Sequence, residues 1–223
     1  MTKDTDNLTV AYSRLGCMLD ESAAFDSDVT QLLEAAWGTS TVRQTICFAY
    51  CKAALEHALS QRALLGIGKS GTALALTRLH YETVVRAAWI ILAASDQWLS
   101  EFVTPVVAGD FNEPILGPPI PAMLDSIALK QPELVRDLRK LNETVKVMHS
   151  FVHGGVHLVA HALRGYPPEN LIALLQNRNL LILQLCNVIV VASGRRSLFG
   201  SVGRLSRLHA NCMPPVSSTE AAI

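Results

Sequence analysis

The chain has 223 residues, half of them apolar, which is enough for one large domain or a core domain with extensions. Nineteen basic and nineteen acidic side chains cancel, so no global field argues for nucleic acid, and any such contact has to come from a local patch. The five cysteines, scattered at 17, 47, 51, 186 and 212, suit a reducing compartment better than a disulfide framework, and the polar opening MTKDTDNLTV is not a secretory signal. A cytoplasmic location is expected.

Alanine and leucine dominate, and no stretch shows the period-two alternation of a half-buried strand. Residues 1–7 are expected to be disordered, with helices over Leu8–Leu19 and Asp28–Ala36. Thr41–Leu65 reads as a long helix closed by the turn GIGKSG, where glycine caps one helix and Ser70 or Thr72 caps the next. Helices follow over Thr72–Ala94 and Gln97–Val107. Four prolines and two glycines in Gly109–Pro121 exclude a regular element there.

Beyond that loop the expected helices are Ala122–Leu129, a long Pro132–Arg164, Glu169–Ser193 after the turn GYPP, and Arg195–His209, the last weakened by Gly200 and Gly203. Residues 211–223 are expected to form a disordered tail. The longest apolar run, Leu180–Ala192, has 13 residues and is interrupted by Gln184 and Asn187. A membrane span needs about 20, so the run reads as a buried core helix or an interface helix. The fold class is all-α: a single bundle of six to eight helices over residues 8–210 with short connections.

Four of the seven histidines, His149, His153, His157 and His161, recur at intervals of four. On one continuous helix they form a slowly drifting ridge of groups that titrate near neutral pH, move protons and bind metals. A histidine pair at this spacing can chelate zinc, but the glutamate of the zinc-protease helix is missing, and a third ligand such as His80 or Glu82 has to come from elsewhere. Gly154 and Gly155, adjacent within the expected helix, disfavour it by about 1–2 kcal/mol. Either another helix or a ligand approaches the backbone beside His153, or the helix breaks there.

Arg78, Glu82 and Arg86 are spaced for ion pairing along one face of an otherwise apolar helix, as a site or as a solvated stripe. ALLGIGKSGT approaches the phosphate-binding pattern Gly-x-x-x-x-Gly-Lys-Ser/Thr, but Ala63 replaces the first glycine and a helix precedes it where a strand is required, so an inter-helix turn is expected. No acidic residue occurs from Asn170 to Thr219, while Arg178, Arg195, Arg196, Arg204 and Arg207 do; these arginines either meet RNA phosphates or a membrane surface, or pair with acids elsewhere in the bundle. Cys47 and Cys51, among apolar neighbours, read as small core residues.

Two segments together resemble a family of uncharacterised bacterial all-helical proteins: TRLHYETVVRAAWIIL, with its Arg…Glu…Arg-Ala-x-Trp pattern, and LNETVKVMHSFVHGGVHLV, with a Ser-aromatic-x-His-Gly-Gly segment. That family is similar to the HEPN superfamily, whose bundles often act as RNases in toxin–antitoxin and phage-defence systems. The HEPN signature joins an arginine, a polar residue and a histidine four to six residues after the arginine. His153 matches the histidine and Ser150 the polar position; Lys146, Met148 and His149 stand where the arginine belongs.

The resemblance implies a homodimer acting on RNA, with an antitoxin or other protein partner and no cofactor. RNA cleavage by 2′-hydroxyl attack needs a base, an acid and a cation. His153 is the candidate base, His149 or His80 the acid, and Arg78, Arg86 or Lys146 the cation, with Glu82 orienting an arginine and Ser150, Gly154 and Gly155 completing the binding surface. The rival readings are a non-catalytic module that binds a small ligand or partner protein, and a metal site on the histidine ridge.

Overall fold

A computed structural model describes residues 2–38, 40–103 and 117–215, with side chains from Thr9 onward except at 146 and 147. The described residues are almost wholly helical, as the absence of strand patterning requires. They form α1 (Thr2–Ala36), α2 (Val42–Gly66), α3 (Ser70–Leu92), α4 (Asp96–Phe102), α5 (Ile120–Ala128), α6 (Pro132–Val152), α7 (Val156–Arg164), α8 (Pro168–Ser193) and α9 (Phe199–Leu208). Single 3-10 turns cover Arg196–Leu198 and Ala210–Cys212. Most of the irregular segment 109–121, the end of the helix expected to reach Val107, and residues 216–223 lie outside the described residues.

α2 and α3 pack as an antiparallel hairpin. α3 also meets α5, α6 and α8, and α8 meets α1, α2 and α3, so these two helices form the centre. By length and composition α8 could cross a membrane, but 72% of its most apolar window is buried inside the bundle. It is a core helix.

Two expected boundaries differ from those observed, each for a local reason. The gap expected between residues 19 and 28 is absent and α1 is continuous, starting ahead of Leu8. The polar residues Ser22 and Asp26 in that interval are buried beside Phe25 and Val29. At the other end, Cys212 and Met213 are buried in the core, so the packed chain runs past Asn211.

Conversely, the expected helix Pro132–Arg164 is broken. Gly154 adopts φ +67°, and the Gly155 N–H donates to the Ser150 carbonyl at 2.7 Å, which closes α6 in a left-handed glycine cap. The Ser150 hydroxyl accepts from the His157 N–H at 3.1 Å, satisfying an otherwise unpaired donor in the first turn of α7. Nothing lies within 4 Å of a Cβ built at Gly154, and the atoms nearest to one at Gly155 belong to Ser150 of the same turn. The glycine pair is a helix break.

GIGKSG is likewise a helix end. Gly68 has φ +72°, with Lys69 N–H donating to Leu64 O at 2.7 Å and Gly68 N–H to Leu65 O at 3.1 Å. Neither Ser70 nor Thr72 caps α3; its N-cap is Lys69, without a side-chain bond, and Ser70 is buried in the first turn. Cys51 and Cys186 are buried thiols whose pKa burial raises, for Cys186 to about 12, in keeping with small core residues.

The core is divided into two apolar clusters. A large one surrounds Phe48, Tyr81, Ile90, Leu138 and Leu185, and a smaller one at the other end holds Leu15, Leu65, Leu74, Phe151 and Leu175. Between them each of four helices contributes polar residues: Ser22 and Asp26, Gln61 and Arg62, Thr77 and His80, Arg178 and Asn179. Arg178 grips Asp26 through Nη1–Oδ1 at 2.6 Å and Nη2–Oδ2 at 2.7 Å, and its Nε donates to Ala58 O at 3.0 Å. Arg62 Nε adds a third bond to Asp26 at 2.7 Å. Asn179 donates to Ser22 Oγ and Cys212 O, both at 2.9 Å.

Candidate functional site

Where α3 crosses α6, consecutive residues on each helix point to opposite sides of the seam. Arg78, Val145 and His149 line one groove, while Thr77, Thr144 and Met148 line another. The first groove holds about 470 Å³ and is completed by Tyr81, Glu82, Asn142 and, from α5, Ile120 and Pro121.

Arg78 is the pivot of this groove. Its Nε donates to Glu82 Oε1 at 2.7 Å, and its Nη1 is in hydrogen-bond contact with His149 Nδ1. A guanidinium only donates, so Nδ1 accepts and the neutral His149 ring carries its proton on Nε2. The His149 ring packs on that of His153, with centroids 4.2 Å apart and planes tilted by 47°. Arg78 and Glu82 are 33% and 27% exposed, so the pair is neither freely solvated nor fully desolvated. Beneath them Tyr81 is buried, its hydroxyl donating to Leu138 O at 3.0 Å and its pKa raised by burial.

The predicted residues thus divide. Arg78, Glu82, His149 and His153 come together. Arg86 lies one turn beyond Glu82 on α3, half-buried, and is not among the groove's lining residues. Ser150, Gly154 and Gly155 build the break that turns the chain after His153. The Lys146 side chain lies outside the described residues.

His80 does not belong to the site. It is 0% exposed, and its Nδ1 meets Gln61 Oε1 of α2 at 3.1 Å. Two positions on a helix are about 200° apart, so a residue flanked at that spacing by Arg78 and Glu82 faces away from both. Gln61 holds the layer together by donating to Ala73 O at 3.2 Å and Thr77 Oγ1 at 3.0 Å. Burial, then the nearby charges of Arg178 and His57, holds the His80 pKa well below the ordinary histidine value.

The helix break also ends the single histidine ridge. His149 serves the first groove and His157 and His161 line the second, with His153 at the corner. Among the described residues no three His, Cys, Asp or Glu side chains converge as metal ligands. Of the arginines in the acid-free C-terminal stretch, Arg178 is the buried partner of Asp26, Arg195 contacts Ala35 O, and Arg204 donates to Ser201 Oγ at 2.9 Å. A wider groove of about 710 Å³ between α1 and α9 is lined by Arg204 and Arg207 of that stretch, with Asp28 opposite them, and by none of the residues predicted for the histidine site.

Sequence reasoning missed Asn142 and Tyr81 in the groove, and of the Asp26–Arg178 layer it offered only the alternative that Arg178 pairs with an acid elsewhere in the bundle. A signal for the layer was present. The polar run Gln176–Asn177–Arg178–Asn179 sits inside the mostly apolar α8, where a charge persists only with a partner.

The model of a family of unknown function, DUF6988, matches residues 51–215, which cover α3 to α9 and most of α2; the chain belongs to this family. Neither the curated proteins nor the solved structures give a match.

Proposed function

We propose that this DUF6988 member is a HEPN-like protein whose α3–α6 groove receives an RNA phosphodiester and cleaves it by acid–base chemistry. The observation that carries the reading is Arg78, aimed by Glu82 at 2.7 Å and touching His149, whose ring lies on that of His153. The cation that the HEPN signature places just before its histidine comes here from a neighbouring helix. A cytoplasmic, toxin- or defence-type role in a bacterium, a homodimeric state and an antitoxin-type partner belong to the same reading.

The chemistry follows from the groups present. An arriving phosphate offers Arg78 a charge-assisted partner and draws it off His149 Nδ1. His153, exposed and without a side-chain hydrogen bond among the described residues, takes the proton of the 2′-hydroxyl. The O2′–P bond forms as P–O5′ breaks. His149, freed at Nδ1 and protonated from solvent, gives its proton to O5′. The products are a 2′,3′-cyclic phosphate and a 5′-hydroxyl, and Arg78 stabilises the charge on the phosphorane.

A phosphate-binding module without cleavage is the second reading. It is favoured by the bonds that already hold Arg78, to Glu82 and His149, which orient a guanidinium to receive a phosphate without requiring any proton transfer. An oligoribonucleotide incubated with wild type and His153→Ala, with and without EDTA, separates the two. Cleavage to cyclic phosphate ends, insensitive to chelator and about 10²–10⁴-fold slower in the variant, is expected. Binding without cleavage leaves the module; neither binding nor cleavage overturns both; loss of cleavage in EDTA moves the chemistry to a metal.

A further inference from the structure

On the far side of the α3–α6 seam lies the second groove, a recess of about 220 Å³ closed by α7 and α8. Three rings line it, with His161 nearly parallel to each of the other two, which are themselves tilted by 37° at a centroid distance of 6.5 Å. His161 is tilted by only 22° from Phe151 and 16° from Tyr166, with centroids 5.9 and 5.0 Å away. Parallel plates favour a flat ring laid in the same orientation, the offset arrangement that aromatic quadrupoles prefer. Leu74, Met148 and Leu174 supply an apolar floor.

The polar groups around the recess are those that read the edge of a heterocycle. His161 Nδ1 donates to Gly165 O at 3.1 Å, which leaves Nε2 of the neutral ring as an acceptor. The side chains of His157, Asn170 and Asn177 have no protein hydrogen-bond partner among the described residues, and all three line the recess. An asparagine amide presents a donor and an acceptor side by side, the complement of a base edge that does the same. The volume suits one ring system, not an extended ligand.

We infer that this recess is a nucleobase pocket, in which a pyrimidine or purine stacks against the Phe151–His161–Tyr166 plates and is read by the asparagines and His161. It is separate from the Arg78–His149 groove, so a free nucleoside, lacking phosphate, is sufficient to fill it. The base comes either from such a small molecule or from an RNA strand crossing the seam.

The test titrates the full chain with adenosine, guanosine, cytidine and uridine, with toluene as a flat apolar control, and follows the imidazole proton resonances of His157 and His161. At least one nucleoside is expected to shift both and to bind more tightly than toluene. Tyr166→Leu, which removes an outer plate, should weaken it by about tenfold. His161→Phe keeps the plate and loses the acceptor, so discrimination between nucleosides should fall while binding persists. Arg78→Ala, in the other groove, should change neither.

Competition by a single-stranded hexaribonucleotide assigns the base to a strand, and failure to compete assigns it to a free nucleoside. Nucleosides that bind no better than toluene, or that leave the His157 and His161 resonances unmoved in wild type, overturn the pocket whatever the variants do. RNA cleavage lost on His153→Ala beside unaltered nucleoside binding shows that the two sites stand or fall separately.

Discussion

Arg178 and Asp26 face each other in the middle of the bundle as a two-pronged ion pair, 1% and 7% exposed. Their partners are unequal. Asp26 also receives Arg62, whereas Asp26 is the carboxylate that compensates Arg178. Asp26→Ala therefore strands a buried guanidinium and should destabilise the fold by about 3–5 kcal/mol. Arg178→Leu leaves Asp26 with Arg62 and should destabilise it less, and Asp26→Leu combined with Arg178→Leu should be milder than Asp26→Ala alone. Urea unfolding of the three variants checks the order.

His80 predicts an acid-sensitive fold. Its folded pKa lies below the ordinary histidine value, so the unfolded chain binds the proton more readily. The stability this neutral ring contributes is complete above about pH 6.5 and falls as pH drops below it, because protonation then favours the unfolded state. Denaturation at pH 7.5 and 5.5 should show a larger loss for wild type than for His80→Asn. Equal losses would place the acid sensitivity in other groups.

Ser150 and Gly155 set the start of α7. A Cβ at Gly155 would lie 2.5 Å from the Ser150 hydroxyl and 3.2 Å from its backbone, so Gly155→Ala must displace the group that accepts from His157 N–H. Ser150→Ala removes that acceptor directly, a loss of about 1 kcal/mol for a helix cap. Both should speed amide exchange across Val156–Arg164 while leaving α8 protected. Gly154→Ala, at φ +67°, should destabilise the chain by about 1–2 kcal/mol.

Glu82 acts through Arg78. If it aims the guanidinium, Glu82→Gln should retain RNA binding, or improve it by removing a negative charge, yet slow cleavage. Arg78→Lys keeps the charge but not the forked contact to Glu82 and His149, and should slow cleavage nearly as much as Arg78→Ala. Cleavage unchanged in Arg78→Ala would remove the residue from the site.

Much of the helix pattern was legible because helical periodicity and glycine or proline stops are local properties. The capped end of α2 at Gly68 and the all-α class could be read from such signals. What the local pattern left out was the partners of the buried polar residues. Ser22 and Asp26 meet theirs, Asn179 and Arg178, 157 and 152 positions away. The same blindness placed His80 in the site, although its position between Arg78 and Glu82 already turned it toward α2. The meeting of Arg78 with His149 spans 71 positions, and no local pattern encodes it. The glycine pair offered two outcomes, and the bonds of the turn itself, from Gly155 N–H to Ser150 O and from His157 N–H to Ser150 Oγ, make it the break.

An all-apolar seam of leucine and alanine tolerates slippage, since a shift of one turn, about 5.4 Å, presents another leucine. The polar layer forbids it: moving α8 by a turn carries Arg178 off Asp26, and moving α3 by a turn takes His80 and Thr77 from Gln61. It works as a detent, fixing the height of each helix along the bundle axis. Because α3 carries His80 on one side and Arg78 on the other, the notch that holds it against α2 also sets the level at which Arg78 meets α6. The groove is thereby calibrated from behind, by residues that no ligand in it would touch.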